Sequence, residues 1–135
     1  MSSPKPDRSP DRSRERGSVT VELIILLPAL FAVMFLGLQA ALFHHARAVA
    51  IAAAQEGAHA AATEHGRQPD GITAATTFIA DAGGTDVLTT SHATATRSAT
   101  TVTVTVRGRS LSVIPGWSPR VVQSASLPVE RLSAP

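Results

Sequence analysis

The sequence predicts an α+β fold with a long N-terminal helix, a short second helix and a small antiparallel sheet of about three strands. Three observations lead to this prediction. An uncharged apolar run covers residues 23–43, an alanine-rich segment without proline follows it, and valine alternates strictly with threonine in residues 101–106. The first two segments have helical composition, whereas the third has the period-two pattern of a half-buried strand.

The apolar run is the first element. Gln39 is the one plainly polar residue between Leu23 and Phe43, and a helix of this length spans about 30 Å, the thickness of a bilayer's hydrocarbon core. We therefore predict a transmembrane helix over residues 18–43. Gly37 and Ala41 form a small-xxx-small pair, which would let a neighbouring helix pack closely; the alternative is that both simply face lipid.

The segment before the helix, residues 1–17, is predicted to be a disordered cytoplasmic leader. It is rich in proline, serine and arginine and shows no apolar period, so it cannot bury enough surface to offset its chain entropy. Its basic residues are Lys5, Arg8, Arg12, Arg14 and Arg16, whereas only Arg47 lies close to the other end of the span. The positive-inside rule then predicts a single-pass protein of the cell membrane with a cytoplasmic N-terminus.

Residues 44–66 are predicted to extend the same helix beyond the membrane, because alanine dominates them and has the highest helix propensity. Their many small side chains suit close packing on a sheet or another helix. Gly66 can end the helix. A second helix is predicted from about Gly71 to Ala82, with Asp70 as its cap. Residues 67–135 would form a small extracytoplasmic α+β region.

The strands of this region are predicted from short patterns. Val87 and Leu88 can begin one strand, and residues 98–106 form another with its valines on one face. Residues 107–108 are predicted to turn into a strand over 109–114, and residues 120–127 form a further strand. Trp117, in a Pro-Gly-Trp-Ser-Pro turn, is favoured as a local core residue over an exposed contact.

Several functional classes find little support. The chain has no cysteine, which excludes disulfides and cysteine-bound zinc, and its scattered arginines do not form a nucleic-acid-binding pattern. His44 and His45 are adjacent and diverge on a helix, and the Glu56–His59 pair lacks the partners of a di-iron site. We therefore expect neither an enzyme nor a cofactor, a metal or a small-molecule substrate.

The sharpest local motif lies directly before the apolar run and reads Gly17-Ser18-Val19-Thr20-Val21-Glu22. It resembles the type IV pilin-like class, in which a prepilin peptidase cuts after a glycine and the fifth mature residue is glutamate. The resemblance implies processing between Gly17 and Ser18 and an assembly role for Glu22. A carboxylate in the first helical turn is favoured by the helix dipole. The alternative is a helix-start residue at the lipid interface with no partner.

A wider resemblance covers most of residues 16–132. The runs RGSVTVELIILLPALF and HARAVAIAAAQEGAHAAA, together with SLSVIPGWSPRVVQSASLPVERL near the C-terminus, resemble the TadE-like family of tight-adherence (Tad) pilus assembly proteins. The family implies a pilin-like fold and a minor pilin-like subunit, or pseudopilin, of a Tad/Flp pilus or related secretion apparatus. Its partners would be membrane lipid, other pilin-like subunits, the assembly machinery and a prepilin peptidase. Leu23 follows the glutamate where Flp-type major pilins usually have tyrosine, which argues against a major pilin.

Two other hypotheses remain open at this point. In the first, the helix only tethers an extracytoplasmic binding or sensing module, and the α+β region carries the function. In the second, Ala46-Arg47-Ala48 serves as a signal-peptidase site that releases a secreted domain, although the apolar run is longer than the ~7–15 residues usual for a signal peptide.

Overall fold

The computed structural model describes residues 1–2 and 12–132, with side chains described from Gly17 onward. It has an α+β fold, which confirms the predicted class. The elements in chain order are α1 (Arg12–Ala62), α2 (Gln68–Asp81), a short 3-10 turn (Gly84–Asp86), β1 (Leu88–Arg97), β2 (Thr101–Ser110) and β3 (Arg120–Pro128).

Helix α1 begins at Arg12, earlier than the predicted start at Ser18. Residues 12–17 are therefore helical, where the sequence was expected to be disordered; the rest of the predicted disorder, over residues 3–11, lies outside the described residues. Arginine recurs at positions 12, 14 and 16, with Glu15 between the last two, and both residue types have high helix propensity. Extending an existing helix also avoids the unfavourable nucleation step, which accounts for the additional turn.

The chain divides into two compact units between Phe35 and Leu36. In the first unit, α1 carries large apolar side chains that are all exposed from Val19 to Phe35. Within the described residues, one helix is long and apolar enough to cross a membrane, and it runs over Gly17–Ala62. The described part of the chain therefore has a single candidate membrane span, near the N-terminus.

The second unit contains a three-stranded antiparallel sheet in the order β1-β2-β3. One face of the sheet packs on the helices. Its central strand contributes Val102, Val104 and Val106, all fully buried, as their alternation in the sequence predicted. The other face is polar, and threonine and serine hydroxyls pair across β2 and β3 at 2.7 Å (Thr103–Ser126) and 2.8 Å (Thr105–Ser124).

The outer half of α1 packs through an alanine face, as the small-residue composition predicted. The face consists of Ala46, Ala50, Ala53, Ala54, Ala58, Ala61 and Ala62, each almost or fully buried in the same core as the sheet valines. Gly57 lies at the point where α1 crosses α2. A β-carbon there would lie 2.6 Å from the carbonyl oxygen of Gly71, so the two backbones can approach this closely only because both residues are glycines.

The C-terminal end of α1 is capped by groups from the rest of the second unit. The Arg97 guanidinium donates to the carbonyl oxygens of Ala61 and Thr63. The backbone N–H of Glu130 donates to the carbonyl oxygen of Ala62 at 2.8 Å. The last carbonyls of a helix lack partners within the helix, and a cation is favoured at this end by the dipole. Arg97, the last residue of β1, therefore provides hydrogen-bond donors for carbonyl groups at the end of α1.

The predicted second helix is present, with shifted bounds. It begins at Gln68 rather than at Gly71, since Pro69 fits the first turn of a helix. Asp70 does cap it, from inside the first turn: its carboxylate accepts a hydrogen bond from the Arg67 backbone N–H at 2.8 Å. Gly83 follows the helix with φ 120°, a left-handed conformation that glycine adopts without strain.

The predicted turn at residues 107–108 is wrong, because β2 continues without interruption to Ser110. Gly108 serves a packing purpose inside the strand: a β-carbon at this position would lie 2.6 Å from the Leu88 side chain. Residues 111–119 form a loop instead of the predicted strand over 109–114. The sheet still has three strands because the segment from Leu88 forms the ten-residue strand β1; β3 was predicted closely.

Candidate functional site

The residues predicted from the pilin-like motif lie on the first turns of the exposed part of α1. Gly17, Ser18 and Glu22 are all exposed and helical. The peptide bond between Gly17 and Ser18 and the Glu22 carboxylate are therefore not covered by other parts of the described chain. This accessibility is what a processing enzyme or a neighbouring subunit would need, and the roles of the three residues remain predictions.

The apolar side chains that follow Glu22 surround the helix on every side. Leu23 is 56% exposed, Ile25 is 69% exposed and Val33 is 68% exposed. A soluble protein rarely leaves so large a contiguous apolar surface in water, and a helix that is apolar all round is buried in protein or in lipid. This part of α1 therefore requires a bilayer or other apolar helices around it.

Gly37 and Ala41, the predicted packing pair, are both exposed on α1. A β-carbon at Gly37 would meet no atom within 4 Å, so the glycine is not required by contacts within the described chain. The surface around it is open to a neighbouring helix or to lipid, and the two alternatives given by the sequence both remain.

Gln39 is the polar residue of the apolar run, and it fastens α1 to the loop that follows β2. Its side chain is 2% exposed. The amide nitrogen donates to the Leu111 carbonyl oxygen at 3.2 Å, while the amide oxygen accepts from the Val113 backbone N–H at 3.0 Å and from the Ser112 hydroxyl at 3.1 Å. We call this set of hydrogen bonds the Gln39 clamp.

The residues considered for metal binding are not part of the Gln39 clamp. His44, His45, Glu56 and His59 are all exposed on α1. Within the described residues, no group of three or more histidine, cysteine or acidic side chains could hold a metal ion. These side chains therefore form no assembled site in the part of the chain that the structure describes.

Two surface features were not predicted from the sequence. The first is a cleft of about 320 Å³ on the polar face of the sheet, lined by Thr90, Arg107, Gly108, Arg109, Arg120 and Val122. The second is an apolar cleft of about 360 Å³, lined by Leu36, Gln39, Ala40, Phe43, Trp117 and Pro119. Trp117 is 51% exposed, so the prediction of a core position for it is wrong.

These features define a class of protein in which one candidate membrane span leads into a small α+β unit, with no cluster of metal-binding side chains among the described residues. The sequence model of the TadE-like protein family matches residues 17–59. This segment of the chain is therefore similar to TadE-like proteins. No curated protein and no solved structure matches the chain.

Proposed function

We propose that this protein is a minor pilin-like subunit, a pseudopilin, that takes part in assembling a Tad/Flp-type pilus or a related secretion apparatus. The observation that carries the proposal is the TadE-like match over residues 17–59, because it covers the exposed apolar part of α1. An apolar rod followed by a small folded unit suits a structural role, and we propose no catalytic activity.

In this proposal, Glu22 is the assembly residue. Its side chain is exposed on α1 directly before the uncharged run, so it lies where the lipid interface would begin. A carboxylate at that depth remains charged at modest cost and can pair with an amine on another subunit as it moves into the apolar helix bundle. The amine exposed by cleavage before Ser18 would be such a partner.

The proposed orientation places the N-terminus in the cytoplasm and the second unit outside it, on the strength of the basic residues in the leader. A prepilin peptidase would then cut between Gly17 and Ser18. Neighbouring pilin-like helices would pack against α1 in the membrane, with Gly37 and Ala41 as the site of closest approach.

The test is the substitution Glu22→Ala in the full chain, with Glu56→Ala as the matched control, since Glu56 is an exposed glutamate on the same helix. Glu22→Ala should leave insertion into the membrane intact and reduce recovery of the protein with sheared pili or assembly complexes by about tenfold, the effect of a single strong charge pair. Glu56→Ala should behave as wild type.

Equal recovery of the two variants would contradict the assembly role of Glu22. Replacing residues 23–35 with an unrelated membrane span tests the wider proposal, because a subunit that packs through this helix should lose piliation. If piliation survives the replacement, the helix is only a tether and the function belongs to the second unit.

A further inference from the structure

Three arginines converge at one end of the polar sheet face. Arg107 and Arg109 lie on the same face of β2 because they are two residues apart, and Arg120 is the cross-strand partner of Arg109. Together they line the cleft of about 320 Å³, and no acidic side chain is among the described residues that line it. Like charges on paired strands repel each other, so this cleft favours an anion.

The apolar cleft lies at the same end of the sheet, beside the arginines. Pro119 lines the apolar cleft and the next residue, Arg120, lines the basic one. The carbonyl oxygen of Pro119 accepts a hydrogen bond from the Ser110 backbone N–H at 3.0 Å, which fixes this segment at the end of β2. An apolar surface and a basic surface therefore meet along one short stretch of chain.

The Gln39 clamp fixes the position, along the axis of α1, of the loop that follows β2. Gln39 lies one helical turn before Phe43, about 6 Å along the axis, and Phe43 is the last residue of the apolar run. The loop that Gln39 binds, residues 111–113, is therefore level with the final turn of the predicted span. If the span ends at Phe43 as predicted, the loop would meet the boundary between headgroups and acyl chains, where tryptophan is enriched.

We propose that this end of the second unit docks on the membrane that holds the span, with anionic phospholipid as the ligand. Arg107, Arg109 and Arg120 bind lipid phosphates, while Trp117 and the apolar cleft rest against the glycerol and upper acyl region. The inference rests on the membrane insertion included in the proposed function, and it assigns a lipid-binding surface to the folded unit itself.

The chemistry favours lipid over a protein partner. A phospholipid presents a negative headgroup next to an apolar chain, and the two clefts present a basic surface next to an apolar one, since Arg120 lines the first and Pro119 lines the second. Guanidinium groups bind phosphate through paired hydrogen bonds, and tryptophan has the apolar body and polar edge that suit the interface.

The test uses the full chain reconstituted in vesicles of phosphatidylcholine alone or with about one third phosphatidylglycerol, which supplies the negative surface potential. Trp117 is the one tryptophan of the chain, so quenching of its emission by lipids brominated in the upper acyl chain reports on docking directly. The variant is Arg109→Gln with Arg120→Gln. The matched control is Arg67→Gln with Arg131→Gln, which removes equal charge at two positions that line neither cleft.

Wild type and the control should show stronger quenching with anionic lipid. In Arg109→Gln/Arg120→Gln the docked-to-undocked ratio should fall about thirtyfold, since each basic side chain near such a surface contributes about a factor of five. The double variant Arg109→Lys/Arg120→Lys should retain most of the effect because it keeps the charge.

The proposal would be overturned if quenching were the same for all variants, or if it were equal in vesicles with and without the anionic lipid. A change in Trp117 emission that depends on the protein-to-lipid ratio, in vesicles of either composition, would also overturn the proposal. It would indicate that a second subunit, and not lipid, covers the apolar cleft. Resistance to alkaline extraction, measured on the same vesicles, separates the two proposals: a chain that is inserted but not quenched refutes only docking, whereas an extracted chain refutes membrane insertion as well.

Discussion

At the scale of single residues, Gln39 shows why a polar side chain interrupts an otherwise apolar run. Three of its hydrogen bonds end on one loop, and two of them satisfy backbone groups, the Leu111 carbonyl and the Val113 N–H. A buried backbone group without a partner costs about 1–3 kcal/mol. The side chain therefore holds a loop that has no strand partners of its own.

Replacing Gln39 with leucine should lower the free energy of unfolding of the second unit by about 1–3 kcal/mol, because two backbone groups of a half-buried loop lose their hydrogen-bond partner. Gln55→Leu is the control, since Gln55 is exposed on the same helix. Denaturant unfolding of the full chain in detergent micelles, followed by circular dichroism, measures the difference. Equal unfolding midpoints for the two variants would show that the clamp contributes nothing to stability.

The sequence shows that Gln39 is exceptional, but it does not identify its partners. The clamp joins residues more than seventy positions apart, and no local pattern encodes which loop will meet which turn of α1. The same holds for Arg97 and for the arginine cleft. Arg107 and Arg109 share a strand face by their spacing, whereas Arg120 joins them only through the pairing register of β2 and β3.

At the scale of elements, the crossing of α1 and α2 depends on two glycines. Gly57→Ala should destabilise the second unit by about 1–3 kcal/mol, because the added methyl group would lie 2.6 Å from the Gly71 carbonyl oxygen and the helices would have to separate.

Gly37→Ala is the matched control, as it is the same substitution on the same helix at a position with open space. It should be neutral or stabilising by up to about 1 kcal/mol, since alanine has the higher helix propensity. Thermal unfolding of both variants in micelles provides the comparison. A loss of stability for Gly37→Ala as large as that for Gly57→Ala would rule out the crossing as the cause.

The strands show what periodicity can and cannot predict. The valine–threonine alternation predicted β2 and its buried face, and β3 was predicted at Arg120–Leu127 against Arg120–Pro128 in the structure. Strand β1 was missed beyond its first residue because it contains a β-bulge between Thr89 and His92, where Thr90 has φ 48°. The bulge shifts the alternation by one position. Gly108 was read as a turn because its tertiary partner, Leu88, cannot be recognised locally.

At the scale of the whole molecule, the division between Phe35 and Leu36 assigns the last turns of the apolar run to the second unit. The sequence predicted the fold class and the candidate span, because length, alanine content and alternation are properties of contiguous residues. The resemblance to the TadE-like family was also visible in the sequence, and the family model matches residues 17–59. It did not predict where the folded unit begins along α1, since that boundary depends on contacts of Gln39 and Phe43 with residues far along the chain.

The predicted cleavage between Gly17 and Ser18 has to be tested on the complete chain in its native membrane. We expect the mature protein to begin at Ser18, because Gly17 and Ser18 are exposed at the start of the TadE-like segment. Mass spectrometry of the intact protein from the membrane fraction measures this. Gly17→Leu should retain the leader, and Gly37→Leu, which leaves the motif unchanged, should not. A wild-type chain that begins at Met1 or Ser2 would contradict cleavage.

The two attachments of α1 also have a mechanical consequence for the second unit. The Gln39 clamp and the Arg97 cap lie about 33 Å apart along the helix axis, with the alanine face between them. A force applied along the axis of α1 therefore acts on both attachments and on the contacts between them at the same time, in shear. Bonds loaded in parallel fail together at high force, whereas a helix fixed at one end would peel away turn by turn, so the folded unit should remain attached until the whole interface yields.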